Sequence, residues 1–123
     1  MKMSLRILTC LAAVGLSTSL AAEDALAPDA LTANPQSISM KLENENVRVL
    51  EARLEPGQKE HEHSHPAYVS YLISGSGKTK FTAADGKVRE QEARAGQTLW
   101  HDAETHSSES TSAVHALLIE LKK

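Results

Sequence analysis

The chain has 123 residues with 13 Lys and Arg against 16 Asp and Glu, and a single cysteine. A formal net charge of −3 leaves no excess of cations to hold a phosphate backbone or an anionic membrane surface, so nucleic acid is excluded as the expected partner. One cysteine permits no internal disulfide, and a chain of this length must hold together through one hydrophobic core.

Residues 1–22 have the form of an export signal. Lys2 and Arg6 stand without an acid, the run ILTCLAAVGLSTSL over residues 7–20 is apolar or small, and Ala21 and Ala22 offer the cleavage point. The run is shorter than the roughly 20 residues of a membrane-spanning helix. The mature protein is therefore expected to be free of the membrane and, given the bacterial style of the signal, periplasmic. Cys10 leaves with the signal, and since Lys2 and Arg6 are the only charges lost, 101 residues remain with 11 basic against 16 acidic side chains. Residues 23–36 (EDALAPDALTANPQ) show no sustained apolar face and carry Pro28 and Pro35. They are expected to be a linker, ordered only near its end.

From residue 37 to the C-terminus, short apolar alternations separated by turn signals mark an all-β domain. Ile38, Met40 and Leu42 alternate with Ser39 and Lys41, Asn44 to Asn46 turn the chain, and VRVLEARL (47–54) is a longer strand ended by Pro56 and Gly57. A histidine-rich strand follows, then YVSYLIS (68–74), a Gly75-Ser76-Gly77 turn and KTKFT (78–82). Asp85-Gly86 tolerates the positive φ of a tight hairpin and returns the chain through VREQEA (88–93). QTLWH (97–101), THSSES (105–110) and AVHALLIEL (113–121) complete the series, the last apolar enough to lie in the core.

The chemistry concentrates at residues 56–65, PGQKEHEHSH, where His61, His63 and His65 occupy alternate positions. On a strand, alternate side chains share a face. Two imidazoles then project side by side, and a third from a distant strand can join them if the sheet curls into a barrel. Three neutral imidazoles leave coordination positions open, as at a catalytic rather than a closed structural metal site. A solvated edge with adventitious metal affinity is the plainer reading of the same residues.

The pattern resembles a small single-domain cupin over residues 38–121. Gly57, five residues and His63-Ser64-His65 match the first cupin motif, which Gly75 closes. Gly96 and His106 match the second, with Asp102, Glu104 and Ser110 where the motif has Pro, Gly and Asn. The resemblance implies a six- to eight-strand jelly-roll β-barrel over residues 37–123, homodimeric, holding one divalent transition metal (zinc, manganese, iron, nickel or copper) on His63, His65 and His106. The motif's glutamate ligand is missing: seven positions before Gly75 stands Tyr68. A phenol with an ordinary pKa of about 10 is a reluctant ligand, so Tyr68 either borders the site or packs in the core.

The remaining candidates follow from strand parity. His61 shares the face of His63 near the barrel mouth and, with Tyr68 and His115, is a candidate pocket residue and proton donor or acceptor. His115 lies on an apolar face of the last strand, as a core residue or at the pocket mouth. His101 has the opposite parity to His106 and is assigned to structure or surface. Glu60 and Glu62 point away from the histidines into solvent, and core packing accounts for Tyr71, Phe81 and Trp100. Two function classes fit: a metal-dependent enzyme acting on a small organic molecule, and a non-catalytic ligand-binding or metal-sequestering module.

Overall fold

The computed structural model describes residues 27–123, so the expected signal peptide and the first residues of the expected linker lie outside the described residues. A four-residue helix, α1 (Ala30–Ala33), precedes nine strands. These are β1 (Ile38–Glu43), β2 (Val47–Leu54), β3 (Lys59–His65), β4 (Tyr68–Gly75), β5 (Thr79–Ala83), β6 (Val88–Gln91), β7 (Thr98–His101), β8 (Glu104–Ser110) and β9 (Val114–Leu121). Five strands form an antiparallel sheet in the order β1-β2-β9-β4-β7, and four form the other in the order β3-β8-β5-β6. This is the all-β barrel anticipated above, with nine strands in place of six to eight. The count rises because the chain changes sheet across very short turns. Only Asp102 and Ala103 separate β7 from β8, which lie in different sheets.

Register decides which residues face the interior. β9 pairs Leu118 with Leu50 and Ala116 with Ala52 of β2, and Ala116 with Leu72 of β4. Val114, Ala116, Leu118 and Glu120 therefore turn inward. One core cluster gathers Ala30, Ile38, Leu50, Ala52 and Leu54, and another gathers Leu72, Ala93 and Ala116, with Val114 packed against both. Leu50 is completely enclosed, and truncating such a leucine to alanine costs about 2–5 kcal/mol.

The opposite parity of β9, with His115, Leu117, Ile119 and Leu121, was expected in the core and instead lies on the outer face. There Leu117 pairs with Tyr71 and Ile119 with Val49 and Val69. Tyr71 and Trp100 share this face and are exposed rather than packed in the core, and Trp100 Nε1 donates to Asp102 Oδ1 at 3.0 Å. An apolar strand side needs only a covered sheet face, and sequence alone does not say which side the second sheet covers.

Two departures from ideal strands shape the site. In the β3–β8 ladder, Glu60 pairs with Ser108 but His63 pairs with His106: three steps on one strand oppose two on the other. This is a β-bulge, and it reverses the parity of every residue before it. At the end of β4, Gly75 has φ +97°, and a Cβ there would run into the carbonyl oxygen of Ala113. Only glycine fits at this close approach.

The segment expected as a linker is packed against the barrel from residue 27. Asp29 caps α1, accepting from the amides of Leu31 and Thr32 at 3.0 and 3.3 Å. Ala30 is buried against the Leu50 cluster, with Leu31 beside it. A short apolar pair thus suffices to dock a stretch that shows no apolar periodicity.

Candidate metal centre

β3 carries His63 and His65 two positions apart, and β8 places His106 directly across from His63. One ring nitrogen of each histidine lies within 4.8 Å of the other two. Ring centroids are 4.7 Å apart for His63 and His65, 4.8 Å for His63 and His106, and 5.2 Å for His65 and His106. All three residues are buried. The tract is therefore an interior cluster, not a wet edge.

Each ring has an oxygen behind its Nδ1. His63 Nδ1 lies 2.6 Å from the carbonyl oxygen of His61, and His65 Nδ1 lies 2.7 Å from Glu120 Oε2. His106 Nδ1 stands 3.1 Å from Glu104 Oε1, a close contact out of line for a hydrogen bond. A proton held at Nδ1 leaves the Nε2 lone pair for a metal, the arrangement by which buried acceptors orient histidine ligands. The acceptors are anchored in turn. Arg48 donates to Glu120 Oε1 from Nε at 2.8 Å and stands 2.7 Å away through Nη2. Arg89 Nη2 reaches both oxygens of Glu104 at 3.1 and 2.9 Å, and Tyr68 OH donates to Glu104 Oε1 at 2.8 Å.

The electrostatics suit a cation at the centre. Burial, reinforced by the neighbouring His65 and His106 and only partly opposed by the His61 carbonyl, pushes His63 down to about 4. It is a neutral imidazole at pH 7, as a ligand must be. Burial would raise Glu104, but His106, Tyr68 and Arg89 more than offset it and hold the carboxyl well below the usual range. Glu120 is likewise lowered because the bonds from His65 and Arg48 outweigh its burial. Tyr68 is raised far above an ordinary phenol by burial and by Glu104. Its hydroxyl is engaged as a donor to Glu104 Oε1.

The structure sorts the other candidates. Tyr68 is buried between rings, 4.6 Å from His65 and stacked on His101 at 4.3 Å with an interplanar angle of 7°. Where the motif has a carboxylate ligand, this chain has a packed hydrogen-bond donor. His61 was placed on the face of His63 and is instead exposed, because the bulge at 61–62 intervenes. The same bulge turns Glu60 inward, where its oxygens accept from Ser37 Oγ at 3.0 Å and Ser108 Oγ at 3.1 Å. Glu62 is exposed as expected.

His115 is neither in the core nor at the pocket mouth. It lies on the outer face, with Nε2 3.4 Å from Glu51 Oε2. His101, assigned by parity to structure or surface, is buried and lines the cavity, with Nε2 2.9 Å from Ser70 Oγ. Parity counted from His106 does not reach it, since the two lie on different sheets. Asn34 and Glu120 went unnoticed in the sequence, and Glu104 was noted only as standing in the motif's Gly position. Glu120 alone left a signal there, as the one charged residue in the parity of Ala116 and Leu118.

The three rings border a partly enclosed cavity whose other walls include Leu54, Leu72, Phe81, Ala93 and Leu118. Glu60, Ser70, Gln91 and Gln97 add polar groups, and no Lys or Arg lines it among the described residues. Three converging buried imidazoles, two of them with Nδ1 at hydrogen-bond distance from an oxygen, fit a divalent transition metal of the kind that prefers nitrogen donors. The cavity side of the cluster carries no fourth carboxylate or thiolate ligand among the described residues.

Solved structures with this architecture include cupins. A cupin domain from Bordetella pertussis superposes with a TM-score of 0.63 at 22% identity, covering 79% of this chain and 97% of that one. A cupin superfamily protein from Desulfitobacterium hafniense gives a TM-score of 0.54 at 14% identity, covering 70% and 76%. A conserved protein of unknown function from Streptococcus pyogenes gives 0.52 at 20% identity, covering 70% and 73%. No protein-family model and no curated protein matches the chain. The domain thus has the cupin fold, and one fold of this kind hosts unrelated chemistries.

Proposed function

We propose that the protein is an exported cupin that binds one divalent transition metal through Nε2 of His63, His65 and His106 and takes a small organic molecule into the adjoining cavity. The observation that carries this reading is the convergence of three buried rings, each with Nδ1 toward a backbone or carboxylate oxygen and each with one nitrogen within 4.8 Å of the other two. A bound ion would act there as a Lewis acid on a carbonyl or carboxylate oxygen. Without a basic side chain on the cavity wall, any anionic group on the ligand has the metal as its main partner. This favours a hydroxy-carbonyl compound or a small monocarboxylate with an apolar body over a polyanion. The signal-like residues 1–22 support export to the periplasm. The exposed Leu42, Tyr71, Ile73 and Trp100 support a homodimer, which light scattering on the purified protein tests.

Elemental analysis of untagged protein purified without added metal tests the site. The expected result is near one metal per chain, with a large loss in His63→Ala, His65→Ala or His106→Ala and retention in His61→Ala and His115→Ala. Equal metal in all variants would sink the assignment. Incubation of the metal-loaded protein with a panel of such ligands then separates the two function classes. Heat stabilisation with product formation marks an enzyme, and stabilisation without any product marks the binding module.

A further inference from the structure

We infer that residues 27–34 are a positioning strap for the metal centre, so that docking of this strap and binding of metal at His63 and His65 reinforce each other. The inference rests on the three-histidine reading above and adds a group of residues outside the barrel. β3 is the edge strand of its sheet, and the strap covers that edge. Pro28 O accepts from the amide of Ser64 at 2.9 Å, Ala27 O accepts from Ser64 Oγ at 2.8 Å, and Asp29 and Ser64 form a parallel bridge. Ser64 is the residue between the two ligand histidines.

Asn34 makes the second attachment. Its side chain is wholly buried and substitutes for the strand partner that the bulge removes. Oδ1 accepts from the His61 amide at 2.8 Å, and Nδ2 donates to the His61 carbonyl at 3.3 Å. That carbonyl lies 2.6 Å from His63 Nδ1 and can accept only if Nδ1 carries the proton; Asn34 Nδ2, 3.0 Å from the same ring nitrogen, is a second donor converging on the carbonyl and not a partner of the ring. One amide therefore fixes the peptide that selects the tautomer of His63. The third attachment runs to the other histidine through Asp29, 3.2 Å from Arg48 Nη1, then Arg48 to Glu120 and Glu120 to His65. His106 sits one strand further in and has no such link to the strap among the described residues.

Coupling free energies are reciprocal: if the docked strap orders two of three ligands, metal must favour the docked strap. Three measurements test this. Zinc competition against a chelating dye should show affinity lowered 10–100-fold in Asn34→Ala, the usual loss when a group orienting a ligand is removed. Leu99→Ala, destabilised in the core but remote from the strap, should keep its affinity. Hydrogen exchange on the wild type should slow at the amides of residues 29–34 at saturating zinc, with no such change in His106→Ala. Nitrogen NMR of the metal-free protein should find His63 protonated at Nδ1 in the wild type and mixed between tautomers in Asn34→Ala, a readout that survives even if the protein takes up no metal. Unaltered zinc affinity in Asn34→Ala, exchange in the strap indifferent to zinc, or an unchanged His63 tautomer would each overturn the inference.

Discussion

Replacing Glu120 by Gln tests the electrostatic frame of the site with little change of shape. The carboxylate is almost fully enclosed, with its residue 1% exposed. It takes Arg48 on Oε1 at 2.7 and 2.8 Å and His65 Nδ1 on Oε2 at 2.7 Å. Glutamine keeps one acceptor oxygen, which the charge of Arg48 will claim, and turns its NH2 toward His65. That sets a donor against Nδ1–H, and His65 can relieve the clash only by moving its proton to Nε2, the nitrogen a metal needs. Hydrogen bonds to charged groups contribute roughly 1.5–3 kcal/mol each, and Arg48 keeps Asp29 at 3.2 Å as a partial replacement. A net loss of about 2–3 kcal/mol is expected, equivalent to roughly 10–20 °C in Tm for a domain of this size. Zinc affinity should fall 10–100-fold. Urea unfolding, zinc competition and the His65 tautomer by NMR read the three consequences. A variant that keeps wild-type zinc affinity with His65 still protonated at Nδ1 would refute the reasoning.

The remaining predictions concern acid, a glycine and a tyrosine. In chelator-treated protein, His63 is neutral in the fold but ionises when unfolded, so between pH 6.5 and about 4 the unfolded state binds the extra proton and stability falls with falling pH. The His63 share of that slope is about 1.4 kcal/mol per pH unit, and urea titrations of His63→Gln should lack it. Below pH 4.5 the lowered carboxyls of Glu104 and Glu120 add a further loss as they protonate. Gly75→Ala should leave little folded protein, since its Cβ meets the Ala113 carbonyl, whereas Gly86→Ala, equally at positive φ (+87°) but in open space, should cost only about 1–2 kcal/mol. Comparable melting temperatures for the two would contradict this. Tyr68→Phe removes the 2.8 Å bond to Glu104 and should cost about 1–2 kcal/mol with metal retained. Tyr68→Glu places a second carboxylate beside Glu104 and should destabilise by several kcal/mol, so tightened manganese binding without thermal loss would reopen position 68 as a ligand position.

Much of the barrel was legible in one dimension because its signals are local. Alternation, Asp85-Gly86 and the glycine turns mark strands and their ends wherever the chain goes. The spacing of Gly57, His63, His65, Gly96 and His106 carried the pairing of distant strands through resemblance to the cupin motifs. By contrast, Glu60, His61 and His101 lay beyond features that only long-range hydrogen bonding creates. Parity is a reliable guide only along an unbroken strand, and the slip opposite Ser108 and His106 exchanged Glu60 for His61 inside the barrel. The sheet change at Asp102 and Ala103 did the same for His101.

The sequence by itself determined that the chain is all-β and places three histidines at cupin spacing, since both depend on the order of residue types along the strands. Only the tertiary structure decided which side of β9 is the core, and that residues 27–34 pack along β3 beside His63 and His65. It also decided that Glu104 and Glu120 stand behind the rings of His106 and His65, and that Tyr68 turns its hydroxyl to Glu104. The reason is physical: a buried charge or amide is stable only where partners from remote strands meet it. Asn34 is 29 residues from His63, and Glu120 is 72 residues from Arg48; nothing in the local sequence encodes such meetings.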